Sequence, residues 1–273
     1  TRTGAHSFVV TLAGLLVWSG VVLILTTVYS TAGTIIIQDE VVVGIANQFL
    51  PPLWGWALWG ITNLIFIISR VSRYRTLKRQ NLSTGPVGLM ILSIIAVAAI
   101  TGGAVWFANQ DRGVPVVFII VLVFLLFWTL IADRTRFGRY VYAVGGSQEA
   151  ARRAGILVDR TRVMVFLITS FMAGVGGIIL ASRLRSVDTA TGGGNLMLNA
   201  IAAAVIGGTS LFGGVGFVMS ALLGGLIIAA VENGMGLLGL PSGVKFVVNG
   251  LVLLAAVLID ALSRRRRESS GIV

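Results

Sequence analysis

The sequence has no cysteine, one histidine and few charges, and each shortage closes off a kind of chemistry. Without cysteine there is no disulfide framework and no thiolate metal site. The single histidine, His6, lies near the start of the chain. No His/Asp/Glu cluster has metal-ligand spacing and no serine has a base partner, so neither a metal centre nor a nucleophilic enzyme is indicated. A G-x-x-x-x-G-K-S/T phosphate loop is also missing. The nearest approach, the stretch 208–213, continues Gly-Val rather than Lys-Ser, so no nucleotide site is expected in this chain.

What is present in excess is apolar. Charged residues make up 11% of the chain and hydrophobic residues 56%, with a mean hydropathy of +0.95. Soluble domains are about a quarter charged, so this is the composition of a membrane protein with many spans. The net charge of +11 falls in blocks between apolar runs. That pattern favours membrane topology as its cause rather than binding to nucleic acid.

Apolar runs occupy residues 8–28, 53–69, 87–108, 114–132, 163–181, 196–212, 217–231 and 246–262. A span needs about 20 residues, with a range of about 17–25. The first five fit that length; the last three are short or interrupted, as in transporters built with broken helices. An all-α polytopic protein of about eight transmembrane helices is expected. With both ends in the cytoplasm and strict alternation, only Arg112, Arg183, Arg185 and Lys245 of the 21 Lys and Arg fall outside. The positive-inside tendency supports both the number and the direction. The whole chain, 1–273, reads as one transmembrane domain with a cytoplasmic loop at 133–162 and a basic cytoplasmic tail at 263–273. The chain begins Thr-Arg-Thr, without Met or a cleavable leader, so an N-terminally truncated piece of a larger protein is expected. Residues 35–50, with Asp39 and Glu40, lie outside and alternate apolar and polar, which suits a segment along the membrane surface or a cap over the outer mouth, and Pro51-Pro52 opens the second span.

The stretch LMLNAIAAAVIGGTSLFGGVG, residues 196–216, is apolar enough to enter a bilayer but breaks down into glycines. Glycine costs about 1 kcal/mol per helix position relative to alanine, so a short helix ending in an irregular turn is expected. Such backbone survives in hydrocarbon only where protein or a polar cavity satisfies it. Uncharged polar residues also mark the spans: Asn63, Asn195, Asn199, Thr209, Ser210 and Asn249. Two readings are open. They are interhelical glue, at about 0.6 kcal/mol each, or they line a path for a neutral polar solute. Glu232 and Asp260 fall at the ends of their runs, and the lack of deeper ionisable groups argues against a proton-driven carrier.

The loop at 133–162 encodes a short helix with both ends specified. Ser147 is suited to cap it, Glu149 lies in its first turn, Arg152 and Arg153 lie in its last, and Gly155 follows as a stop. Ala150, Ala151 and Ala154 offer a small flat face for a partner; a solvated basic topology loop is the plainer alternative.

Two segments together, RFGRYVYAVGGSQEAARRAGI at 136–156 and LNAIAAAVIGGTSLFGGVG at 198–216, resemble the permease subunit of bacterial carbohydrate ABC importers of the ribose/xylose type. The likeness runs over 8–261 and is densest over 136–239. The material between residues 29 and 114 resembles the xylose-type branch. The resemblance implies the ABC importer permease fold in a bacterial inner membrane, usually with about ten or more spans. It implies a second permease copy, a cytoplasmic ATPase that holds the ATP and magnesium, and a periplasmic or lipid-anchored sugar-binding protein. Residues Gly146, Ser147, Gln148, Glu149, Ala150, Ala151, Arg152, Arg153, Ala154 and Gly155 then match the helix that couples to the ATPase. Asn195, Asn199, Gly207, Gly208, Thr209, Ser210 and Asn249 are expected along the translocation path. Arg183, Arg185 and Asp188, with Asp39 and Glu40 near in topology, are expected to dock the binding protein. No cofactor, metal or catalytic residue is expected in the chain itself. The rival readings are a secondary carrier or facilitator for a neutral solute, and an ATP-driven permease for amino acids or nucleosides.

Overall fold

A computed structural model describes residues 7–30, 33–80, 86–193 and 195–269. It is almost entirely helical and falls into two compact units, residues 1–38 with 121–273, and residues 39–120. Seven helices among the described residues are long and apolar enough to cross a membrane. In chain order the helices are α1 (Ser7–Tyr29), α2 (Glu40–Asn47), α3 (Pro52–Arg79), α4 (Val87–Gln110), α5 (Val116–Arg134), α6 (Arg136–Gly146), α7 (Gln148–Arg153), α8 (Val158–Leu184), α9 (Asn195–Ile206), α10 (Met219–Leu237) and α11 (Ser242–Ser269), with two short strands, β1 (Thr34–Ile36) and β2 (Ser186–Asp188).

The smaller unit is built on the α3–α4 pair. Pro52 takes the first helical position of α3, where a missing N–H is harmless. The helix then runs 28 residues, about 42 Å, so its Arg- and Lys-bearing last turns extend past a hydrocarbon core of about 30 Å. Between the two helices, Trp59 Nε1 donates to Thr101 Oγ1 at 3.1 Å and Asn63 Nδ2 donates to the same hydroxyl at 3.2 Å. Asn63 is therefore interhelical glue. Residues 35–50 contain most of β1 and all of α2. Asp39 caps α2 by accepting from the Val42 amide at 2.9 Å.

In the larger unit, β1 pairs antiparallel with β2, Thr34 opposite Asp188 and Ile36 opposite Ser186. Helix α9 packs on both α10 and α11. Its contact with α10 is backbone to backbone: a Cβ on Gly224 would be driven into the Ala203 carbonyl. Small residues permit this approach, which is how apolar helices associate where lipid removes any hydrophobic drive. The outward faces are apolar, and none of the membrane-length windows of α4, α5 or α8 is buried inside the chain.

The expected eight or so spans, some of them short, are found among the described residues as seven helices of membrane length and one short apolar helix at the sixth run. That run holds a helix of only 12 residues, α9, followed by irregular backbone up to Met219. The last two runs, expected to be short or interrupted, extend into longer helices: α10 reaches 19 residues and the apolar part of α11 reaches 21. Their ends, Asn233-Gly234 and Ser242-Gly243, dilute hydropathy without breaking the helix.

Candidate functional site

The site is assembled from the α6–α7 hook and the irregular segment that follows α9. Thr135 caps α6, its hydroxyl accepting from the Gly138 amide at 3.2 Å. Ser147 then ends α6 and caps α7, accepting from the Ala150 amide at 3.2 Å. At the far end Gly155 takes φ +81°, its amide donates to the Arg152 carbonyl at 3.1 Å, and the Ile156 amide donates to the Ala151 carbonyl at 3.0 Å. This bond pair is a Schellman motif, and Ile156 packs near Ala151 as that motif requires. Glu149 and Arg153 form an exposed ion pair at 2.6 Å.

The proposed alanine face is corrected. Ala151 is buried against Val144 of α6 and Val158 of α8, which supplies the packing that a six-residue helix needs. The outer face of α7 is instead polar: Gln148, Glu149, Arg152 and Arg153 are exposed with Ala150 and Ala154.

The root of the hook touches the broken segment with no side chain between. A Cβ on Gly145 would lie 2.7 Å from the Gly214 amide nitrogen, and one on Gly213 would lie 2.5 Å from the Gly145 carbonyl oxygen. Gly213 and Gly214 also hold φ of +86° and +76°, angles that L side chains resist. Beside them the Tyr142 hydroxyl donates to the Gly216 carbonyl at 3.0 Å. Burial, with the Asp133 carboxylate second, holds this phenol above its usual range, so it stays a donor. An apolar cavity of about 590 Å³, lined by Trp128, Phe137, Val165, Met172 and Phe217 among others, flanks the break.

Two polar nodes bracket α9. At one end Asn199 Nδ2 donates to Glu232 Oε1 at 2.5 Å and Asn249 Nδ2 to the same oxygen at 3.4 Å. At the other, Ser210 Oγ and the Leu211 amide both donate to Asp260 Oδ2 at 3.1 Å. Asn249 and Asp260 are three turns apart, so they share one face of α11 about 16 Å from each other.

The expected path residues thus divide. Asn199 and Asn249 meet through Glu232. Thr209 shares a 2.6 Å hydroxyl bond with Ser220, Ser210 joins Asp260, and Gly207 lies against the Ser220 carbonyl. Gly208 takes φ +103° in the turn after α9. Asn195 opens α9, but its side chain is outside the described residues, as are His6 and the side chains of Arg264 to Arg267. Glu232 stands at the end of its apolar run in the sequence, which gives no sign of this meeting of side chains. It lies more than a turn inside α10.

Of the residues expected to dock a binding protein, Arg183 lies in the last turn of α8 and Arg185 ends that helix at φ +56°. Asp188 is engaged within the chain: the Thr191 hydroxyl donates to it at 2.6 Å and the Ala190 amide at 3.0 Å. The Thr191 hydroxyl is the chief reason that this carboxyl is held below its usual range.

The family described as branched-chain amino acid transport system, permease component, matches residues 1–257. The chain is similar to the xylose transport system permease protein of Escherichia coli, 38% identical over 264 residues, covering 95% of this chain and 65% of that protein. It is also similar to the xylose transport system permease protein of Haemophilus influenzae, at 34% over 263 residues, 95% of this chain and 68% of that one. The ribose import permease protein of Bacillus subtilis is 46% identical over 149 residues, 54% of this chain and 46% of that protein. The longer alignment with the xylose proteins agrees with the resemblance noted across residues 29–114. The chain spans 65% of the length of the Escherichia coli xylose relative. No solved structure matches it. The chain belongs to the permease-component family of the branched-chain amino acid transport system type, as an all-α protein with several membrane-length helices.

Proposed function

We propose that the chain forms the membrane-spanning part of an ATP-driven importer for a neutral sugar, with a pentose such as xylose or ribose as substrate. Both chain ends lie in the cytoplasm, in a bacterial inner membrane. A second permease copy completes the path, a cytoplasmic ATPase binds the ATP and magnesium, and a binding protein delivers the sugar from outside. The chain hydrolyses nothing itself and holds no nucleotide.

The observation that carries this reading is the direct backbone contact between Gly145 and the Gly213-Gly214 turn. An element capped at both ends, exposed and charged on its outer face, is thereby joined to a break between membrane helices. When the ATPase subunits close, they displace α7. With no side chain to yield at its root, α6 passes that displacement to residues 207–218. That segment is held by turns and not by a continuous helical ladder, so it bends more easily than α9 or α10. Helix α9 then shifts against α10 and α11, which alternates access to the path. The names of the xylose and ribose relatives support a sugar as cargo.

A second reading, an amino-acid importer, follows from the description of the matched family. Competition separates the two: excess xylose or ribose should suppress uptake, and leucine should not. Suppression by leucine alone would replace the sugar reading.

A further inference from the structure

Glu232 lies where an apolar helix has least reason to carry a charge. Helix α10 is hydrophobic overall, and Glu232 is exposed on it, more than a turn from the C-terminal end. Among the described residues no Lys or Arg pairs with it; the ion pair present is Arg153 with Glu149. Its Oε1 takes both carboxamide donors, from Asn199 and Asn249, and its Oε2 accepts from nothing among the described residues. The Asn249 Oδ1 is buried without a hydrogen-bond partner.

The acceptor open to the surroundings is Glu232 Oε2, since Asn249 Oδ1 is enclosed by the chain. A carboxylate turned on lipid is strongly disfavoured, so the exposed side of Glu232 faces water or a solute. A ligand that completes this node must bring hydrogen-bond donors, and anions are repelled by the charge. Hydroxyl donors to a carboxylate make charge-assisted bonds, roughly twice as strong as neutral ones. Three helices meet here, α9, α10 and α11, and α9 is the one that the broken segment would move.

We infer that Glu232, positioned by Asn199 and Asn249, is a contact site for sugar hydroxyls on the translocation path. The inference rests on the sugar-importer reading. It makes Glu232 a specificity-determining residue that favours neutral polyols and excludes sugar phosphates.

The test uses the full chain with its ATPase and binding protein in proteoliposomes, with D-xylose as probe. Glu232→Leu should lower xylose uptake about tenfold or more, the loss expected for one charge-assisted hydrogen bond. Glu232→Gln, which keeps an acceptor, should lose less. Assembly and binding-protein-stimulated ATP hydrolysis should persist in both, which a collapsed bundle would not allow. Because the chain has no cysteine, Glu232→Cys gives a single thiol. A membrane-impermeant maleimide should label it. Wild-type uptake by Glu232→Leu, or an unlabelled thiol at that position, would overturn the inference while leaving the importer reading standing. Failure of the wild-type assembly to carry any sugar would instead overturn that reading.

Discussion

Gly145 and Gly146 are neighbours in α6, yet alanine should have opposite effects at the two positions. At Gly146 the nearest atom to an added Cβ is Gly214 Cα at 3.9 Å, an ordinary contact. Alanine there gains up to about 1 kcal/mol of helix propensity with nothing set against it. At Gly145 the added methyl meets the Gly214 nitrogen at 2.7 Å. Both neighbours are backbone, so neither moves cheaply, and overpacking of about 1–3 kcal/mol outweighs the same propensity gain. Gly213→Ala adds a left-handed backbone to the clash and should cost about 2–5 kcal/mol. Because the glycines at 145 and 213 touch, the two losses should not add, with a coupling of about 0.5–3 kcal/mol in a double-mutant cycle. Thermal unfolding followed by tryptophan fluorescence reads stability, and xylose uptake per ATP hydrolysed reads coupling. Gly145→Ala should lower both while Gly146→Ala lowers neither. Equal behaviour of the two variants would refute the backbone contact as the mechanical link.

Four further outcomes follow from the same geometry. Tyr142→Phe removes the bond to Gly216 and should destabilise by about 0.5–1.5 kcal/mol, with a measurable fall in coupling. Reversing the charges of Glu149, Arg152 and Arg153 only exchanges the signs of an exposed ion pair, so stability should change by less than about 1 kcal/mol. Transport should nevertheless uncouple from ATP hydrolysis; survival of both would remove α7 from the ATPase interface. Asp260→Ala strands the Ser210 hydroxyl and the Leu211 amide, and should cost about 1.5–3 kcal/mol by thermal unfolding. Asp188 has a lowered pKa, so its stabilisation of the β2 turn is complete above the ordinary carboxylate range. It is lost as pH falls through the lowered value, and a pH titration of Thr191→Val should show that loss at higher pH than in the wild type.

The parts legible in the sequence were those set by local chemistry. Ser147 and Gly155 cap their own neighbours within five residues, so α7 could be read from the order of side chains. The break after Ile206 was equally visible: Gly-Gly pairs inside α4, α8 and α10 stay helical, but here the pair is followed by Thr-Ser and a second Gly-Gly within a few residues, which adds up to more than a short helix can carry. What hydropathy concealed was spatial. Tyr142 and Gly216 are 74 residues apart in the chain, and nothing in either segment names the other. Ala151 looked free because a six-residue helix carries no period long enough to show which face is buried. Glu232 vanished into the average of an apolar run. Its partners Asn199 and Asn249, each near the start of a helix that meets α10, were the signal that would have raised it.

Under the proposed function, solute movement through this chain is driven by a partner ATPase acting on α7. The most direct measurement is radiolabelled xylose uptake into proteoliposomes holding the permease, with ATPase and binding protein supplied or withheld. Uptake against a gradient that requires all three components and ATP is the predicted result. Xylose running down its gradient through the permease alone, unaffected by ATP, would contradict it.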